Sequence, residues 1–463
     1  MEIKESLFIS GVFLLGGILM ENVYVMESTS RYSGIHLSER EMEIIKCILE
    51  FGVFPAGNIH RLFNAGVKNP RSKYAVSMRL GKLVKSGILV QLKTDFPKQG
   101  ENRPPNYAYR IGSRGFDLLV QQEVISPEEA KRRKKYGSQL NMPTPHNKTI
   151  NTIFTDLIAR LIERDESLES LQCQYFRGDR HPGISYANSQ TGYSPVIPDW
   201  IYETKDQIIC LELDTGRQTN SIINVKFDRY KRLCEHLEKP LTVVFSVGLS
   251  TLATEEAPKE KRIGSLKHLF SEHTEWPANF DLFVLPSHRT LDFLYGKLKK
   301  PFQFTKSYRK GSVINWVNYA RLATKHRLSY RVIQNNELDR LTFGDINDLD
   351  LVIEISLEKR IVLTGLLYME EGSVRSFQRA RTNMIRIQYW NTHRRQNGNK
   401  VSLFLVYSEK KNGVHDVLSL DPLCSTFIVN IEEVLYPKPI QNRVFLEAIE
   451  VLTPYTRKSQ KLI

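Results

Sequence analysis

Two carboxylates two residues apart, Glu212 and Asp214, close an apolar run from Gln207 to Asp214 (QIICLELD). Side chains alternate across a strand, so these two point to one face. Asp199 follows a proline thirteen residues before Glu212. On a neighbouring strand it would converge on the same edge. Three converging carboxylates suit a hard divalent cation such as Mg²⁺. That ion lowers the pKa of a bound water and stabilises charge on a phosphodiester being cleaved. A lysine nearby would steady the developing charge. Asp199, Glu212 and Asp214 are thus the expected metal ligands, with Mg²⁺ as cofactor if the site is catalytic, and the expected catalytic carboxylates. A site without chemistry is also open: Asp199 capping a strand entry, and Glu212 and Asp214 lining a solvated sheet edge.

The elements that must position these residues are readable from periodicity. A helix over 147–163 carries Ile150, Phe154, Leu157, Ile158 and Leu161 on one face. Strands follow at 198–202 and 207–214, then a Thr-Gly turn, a helix over 221–237 and a buried strand at 241–247 (LTVVFSV). A further strand is expected at 280–285. This region is assigned to residues 146–300.

Upstream, residues 36–125 read as three short helices and a two-stranded ribbon. Ser38-Glu39-Arg40-Glu41 resembles a capping box. A second helix spans 56–63, and a third starts at Ser72 with Val76, Leu80 and Leu83 inward and Gly87 as terminator. The ribbon pairs 88–92 with 107–111 across a Pro/Gly loop. That plan is the winged helix-turn-helix. It puts Arg71, Ser72, Lys73, Arg79 and Lys82 toward DNA, with Lys85 outward as well, Lys98 and Arg103 on the wing, and Lys131, Arg132 and Arg133 in a basic linker at 126–145. Residues near the start of the third helix would reach base edges and the others phosphates.

The C-terminal region, 301–463, reads as a degenerate second copy of the 146–300 domain. Leu349-Asp350-Leu351 answers Pro198-Asp199-Trp200, and the runs 360–368 and 401–407 answer the strands at 207–214 and 241–247. It lacks the paired-carboxylate strand, so no active site is expected there. Its helix, 373–395, should turn Phe377, Ala380, Met384 and Ile387 inward and Arg375, Arg379 and Arg386 outward, a track able to follow a DNA backbone.

Pro198-Asp199 with Glu212-Leu213-Asp214, in this order of helices and strands, resembles the PD-(D/E)xK restriction-endonuclease-like superfamily. There a lysine stands two residues after the acid. Here that position is Asp214, and relatives with the lysine on the following helix direct attention to Lys226. A closer resemblance is to the replication-relaxation family of bacterial plasmids and mobile elements, which includes MobC-type mobilisation accessories. The matching residues are His146-Asn147 opening a helix, Pro198-Asp199, Glu212-Leu213-Asp214-Thr215-Gly216, and Lys226 to Tyr230, all after a winged helix. The resemblance spans residues 38–250. It implies DNA processing at replication or transfer origins, with relaxase or replication proteins as partners.

Composition agrees with a nucleic-acid partner. The 463 residues hold 65 Lys+Arg against 51 Asp+Glu, a formal net charge of +14. Between Arg71 and Tyr136 the excess alone is +9. An anionic partner follows, most simply nucleic acid, and the winged helix makes double-stranded DNA the expected one. Five scattered cysteines without a CxxC pair argue against a disulfide framework or zinc cluster and fit a reducing cytosol. The lead, residues 1–35, contains an apolar run from Leu7 to Met20, short of the roughly 20 residues of a membrane span. It is read as an over-extended start or as a segment that packs on a neighbour, and no stable membrane association is expected.

The expected fold is α+β or α/β and multidomain: a winged helix, a restriction-endonuclease-like mixed sheet with flanking helices, and the degenerate copy. The expected protein is cytoplasmic, with a homodimer admitted. Three functions are open. The first is an origin-acting DNA-binding protein of a plasmid or mobile element whose nuclease-like domain has lost activity. The second is a Mg²⁺-dependent endonuclease or nickase, and the third a winged-helix transcriptional regulator.

Overall fold

A computed structural model describes residues 24–93, 107–137, 144–248, 257–299, 306–323, 328–333, 349–357, 360–393, 401–409, 412–413, 416, 418, 426–430, 450–452 and 459–461. The lead from Leu7 to Met20 and the wing residues Lys98 and Arg103 lie outside them. The protein is α+β, with helices beside both antiparallel and mixed sheets. It forms two compact units, each assembled from separated stretches. One comprises Met1–His181, Pro198–Asp206 and His288–Lys299, and the other Pro182–Ile197, Gln207–Ser287 and Lys300–Ile463.

The first unit begins with a short antiparallel pair, β1 (Tyr24–Met26) and β2 (Ile35–Leu37). Helix α1 (Glu39–Phe51) opens on a complete capping box between Ser38 and Glu41 and ends at Gly52. Next come β3 (Phe54–Pro55), α2 (Ala56–Asn64) and α3 (Lys73–Lys85). The Ser72 hydroxyl caps α3 by accepting from the Ala75 amide at 3.1 Å. Strands β4 (Leu89–Lys93) and β5 (Tyr107–Ile111) pair antiparallel, and β3 adds to the other edge of β5. Helix α4 is Ser113–Gln121. The basic stretch read as a linker contains a helix, α5 (Pro127–Gly137), with Glu128 and Glu129 in its first turn and Lys134 and Lys135 in its last, as the helix dipole favours. Thr144 caps α6 (Pro145–Glu163), and Pro145 occupies the first turn, where no amide donor is missed. Strand β6 is Gln174–Arg177.

Beyond it in the chain come α7 (Pro182–Gln190), β7 (Trp200–Glu203), β8 (Ile208–Asp214), α8 (Asn220–Glu235), β9 (Leu241–Val247), α9 (Ala257–Ser271), β10 (Phe280–Pro286) and α10 (Ser287–Lys299). In the first unit β7 pairs antiparallel with β6. An aromatic cluster fastens these strands to α1, β3 and α6. Phe51 stacks on Trp200 with ring centres 4.5 Å apart, and Phe154 meets Trp200 edge-on at 5.3 Å. The Asn151 side chain of α6 donates to the Val53 carbonyl at 3.0 Å. Helix α10 is tied in through Arg160 to Asp292 and through Tyr295, which donates to Glu166.

In the second unit β8, β9 and β10 run parallel, in register from Ile208 with Leu241 and from Phe280 with Leu241. All three strands are buried along their length, so they read as continuous apolar runs. The C-terminal elements are α11 (Lys306–Ala323), β11 (Leu328–Val332), β12 (Leu351–Leu357), β13 (Arg360–Tyr368), α12 (Val374–His393), β14 (Val401–Tyr407), β15 (Thr426–Asn430), β16 (Glu450–Leu452) and β17 (Ser459–Lys461). Strands β11 to β17 lie in chain order in one sheet, with β13, β14 and β15 parallel and the flanking pairs antiparallel. Its two faces hold separate cores, one on α12 around Phe377, Met384 and Ile387, the other on α11 around Val313, Trp316 and Val317. Among the described residues no helix is long and apolar enough to cross a membrane.

Candidate functional site

Glu212 and Asp214 leave β8 on one face, and both are buried. Helix α8 brings Lys226 and Tyr230, four residues apart and so on one face, against Glu212. The Lys226 ammonium lies 2.5 Å from Glu212 Oε2, and the Tyr230 hydroxyl donates to Oε1. Asp214 is held from another direction. Arg262 on α9 donates from Nε to Asp214 Oδ2 at 2.7 Å, and its two other nitrogens reach Asn220 Oδ1 and the Gln218 carbonyl. The Gly216 amide donates to Asp214 Oδ1 at 2.9 Å. Gly216 has φ +75, which the Thr-Gly turn needs and a side chain would strain. Four carboxylate oxygens therefore meet four protein donors. A hard divalent ion is held by carboxylate oxygens it need not share with ammonium or guanidinium groups. As arranged, this pair does not fit such an ion. Among the described residues no group of three or more His, Cys, Asp or Glu side chains is placed to hold a metal.

A cleft of about 530 Å³ runs beside α8, with Ile197, Ile222 and Val225 as its apolar wall and Lys226 and Arg229 on its polar side. Behind it the Cys210 thiol is pushed well up by burial, next to Glu212, so it is no nucleophile at neutral pH. Arg262 is the member of this site that spacing could not reveal, because it comes from a helix 48 residues beyond Asp214.

Asp199 belongs to the first unit, just ahead of β7. Its Oδ2 lies 3.1 Å from Nε2 of His146 in the first turn of α6, and both side chains are partly exposed. Its backbone is placed by a close approach: a Cβ on Gly178 would lie 1.8 Å from the Pro198 carbonyl oxygen, so only glycine fits opposite. Whereas Glu212 is held by a lysine, Asp199 is paired with a histidine.

The residues expected to meet DNA divide into two sets. On α3, Lys73, Lys82 and Lys85 are exposed. Arg79, expected outward with them, turns back instead. It donates to Glu41 Oε2 at 2.8 Å and to the His36 carbonyl, because a guanidinium can serve a carboxylate and a carbonyl at once. Ser72 spends its hydroxyl on the cap. The Arg71 amide is bonded by Asn64 at 2.7 Å, and its guanidinium lies 5.9 Å from the centre of the Phe63 ring. On α5, Lys131 and Arg132 are exposed, whereas Arg133 turns inward to the Leu49 carbonyl at 3.0 Å and to Glu129 at 2.8 Å. Tyr74 and Met78 also stand out on α3, exposed to 74% and 52%. The signal that could have found them is an apolar pair at i and i+4 off the Val76, Leu80, Leu83 stripe.

The C-terminal sheet places another acid ahead of a strand. Asp350 precedes β12 and is buried. It receives Arg309 from α11 at 3.0 Å, Arg379 from α12 at 2.8 Å, and the Tyr368 amide at 2.8 Å. Arg379, expected on an outward arginine track, is thus inside. Arg375 is largely buried as well and donates to the carbonyls of Pro277 and Phe280 at 2.6 and 2.8 Å.

Residues 45–247 match the family model described as replication-relaxation. No curated protein and no solved structure matches the chain.

Proposed function

We propose that this chain is a DNA-binding protein acting in the replication or mobilisation of a plasmid or mobile element, and that α3 is its DNA-contacting helix. The observation that carries the proposal is the outward face of α3: three lysines standing in solvent on a helix whose other face, Val76, Leu80 and Leu83, is buried. Three short helices, α1, α2 and α3, beside a β3-β5-β4 sheet whose β4 and β5 follow α3 support a winged-helix reading of residues 36–125. In that reading α3 enters the major groove, and Lys73, Lys82 and Lys85 neutralise phosphates. The match to the replication-relaxation family over 45–247 supplies the biological setting. The test is fluorescence anisotropy of a labelled duplex with the full chain. Affinity should fall by roughly tenfold or more between 50 and 200 mM salt, as phosphate neutralisation requires. Affinity independent of salt contradicts the proposal.

A second reading, a Mg²⁺-dependent endonuclease or nickase using Asp199, Glu212, Asp214 and Lys226, has one observation in its favour. Lys226 reaches Glu212 from the helix after β8, where a displaced nuclease lysine would stand. It requires Lys226 and Arg262 to release the carboxylates. Mg²⁺-dependent nicking of supercoiled plasmid by the wild type and not by Glu212→Ala would support it. Intact plasmid with both Mg²⁺ and Mn²⁺ contradicts it.

A further inference from the structure

The outward face of α3 is not uniformly basic. Tyr74 and Met78 lie one turn apart on it, among Lys73, Lys82 and Lys85, and Ser77 is exposed between them. Gly81 follows, and a Cβ there would meet nothing within 4 Å. Glycine weakens a helix interior, and among the described residues no close neighbour explains it; it leaves bare backbone facing outward. The planar side chains that pair bidentately with bases are missing from this face, whose polar groups are the lysine ammoniums and the Ser77 hydroxyl. Helix α3 (KYAVSMRLGKLVK) has no Asn or Gln to pair with adenine, and its one arginine, Arg79, is committed to Glu41 and the His36 carbonyl. What remains is apolar surface flanked by cations. In the major groove the apolar feature of a base pair is the thymine 5-methyl group.

We propose that Tyr74 and Met78 are specificity-determining residues that read thymine methyl groups, while the lysines hold the flanking phosphates. This rests on the DNA-binding reading of α3. A second copy of the chain is a poorer occupant for the same apolar pair, because two such faces would bring lysines against lysines. A duplex supplies methyl groups and negative charge together.

The experiment first selects, with the full-length protein, a bound pool from random-sequence duplexes. The pool is then resynthesised twice, once with thymidine and once with deoxyuridine throughout. Uracil keeps every hydrogen-bonding group of thymine and lacks only the methyl. The wild type should bind the thymidine pool about fivefold to tenfold more tightly, as one or two lost methyl contacts imply. Tyr74→Ala/Met78→Ala should bind both pools alike and keep its salt dependence. Both side chains are exposed, and an unchanged thermal midpoint confirms that the variant folds. Equal binding of the two pools by the wild type overturns the proposal and leaves DNA binding standing. Persistence of the preference in the double variant also overturns it. A variant whose only change is loss of self-association assigns the face to a second copy instead. Failure to bind any duplex removes the DNA-binding reading itself.

Discussion

Helices α3 and α12 each carry four lysines or arginines, and the sequence presents both as basic tracks. In the fold they diverge. On α3 three of the four, all lysines, are exposed, and only Arg79 is drawn inward. On α12 Arg379 is buried against Asp350, and Arg375 clasps two carbonyls of the segment before β10. The difference follows from chemistry more than from charge count. A guanidinium offers five donors in a planar fork and tolerates partial desolvation, so it can knit acids and carbonyls together. An ammonium is a more strongly hydrated point charge without that planar fork, and the three on α3 stay in water. The lysine helix is therefore the one left to meet a polyanion, and the arginine helix is a structural brace.

The largest effect expected from this contrast is on stability. Asp350→Ala would leave two guanidiniums without their buried acid and should destabilise the protein by about 3–5 kcal/mol, seen as a lower urea midpoint. Duplex affinity at permissive conditions should not change. A stability change within about 0.5 kcal/mol, the range of ordinary surface substitutions, would remove the brace. Arg79→Met, on the other helix, should act in the same manner and less strongly. Losing its charged hydrogen bonds should cost roughly 1.5–3 kcal/mol and leave the salt dependence of DNA binding alone. If its affinity for DNA drops with no change in stability, Arg79 belongs with the lysines.

The smallest effect concerns the segment that α12 holds. Gln378 donates to the carbonyls of Ser271 and His273, and Arg375 to those of Pro277 and Phe280. Burial, then the neighbouring Lys231, lowers the His273 pKa below its usual 6.5. The folded state thus binds fewer protons than the unfolded state between the lowered value and 6.5, and stability rises with pH through that window. The His273 contribution is fully present above 6.5 and is lost as the pH falls through the window. Thermal midpoints measured from pH 7.5 down to 5 should show a shallower fall for His273→Gln than for the wild type. Identical profiles would separate His273 from this segment's stability.

Local structure was legible because its causes are local. The Ser38–Glu41 capping box, the Ser72 cap and the buried strands at 241–247 and 401–407 follow from neighbours a few residues away. Helix α5 was not, because a run of five basic residues gives no apolar period to recognise. Within the site, Lys226 and Tyr230 were singled out by the family resemblance, and that both meet Glu212 comes from the fold. The partners of Asp214, Arg79 and Arg379 were not, since Arg262, Glu41 and Asp350 lie 48, 38 and 29 residues away and only the fold brings them near. The C-terminal strands make the same point. The ladder that places Glu212 opposite Phe245 on β8 places Leu367 opposite Leu405 on β13, so like positions carry a bonded acid in one array and core in the other.

The most direct test of the account is the salt dependence of duplex binding by the full chain, compared between wild type and Lys73→Ala/Lys82→Ala/Lys85→Ala. Each phosphate contact contributes about 0.9 to the slope of log affinity against log salt. The triple variant should lose between roughly 2 and 3 of that slope while keeping the wild-type thermal midpoint, and Arg381→Ala/Arg386→Ala on α12 should leave the slope unchanged. A triple variant with the wild-type slope, or an α12 variant that flattens it, would contradict the account.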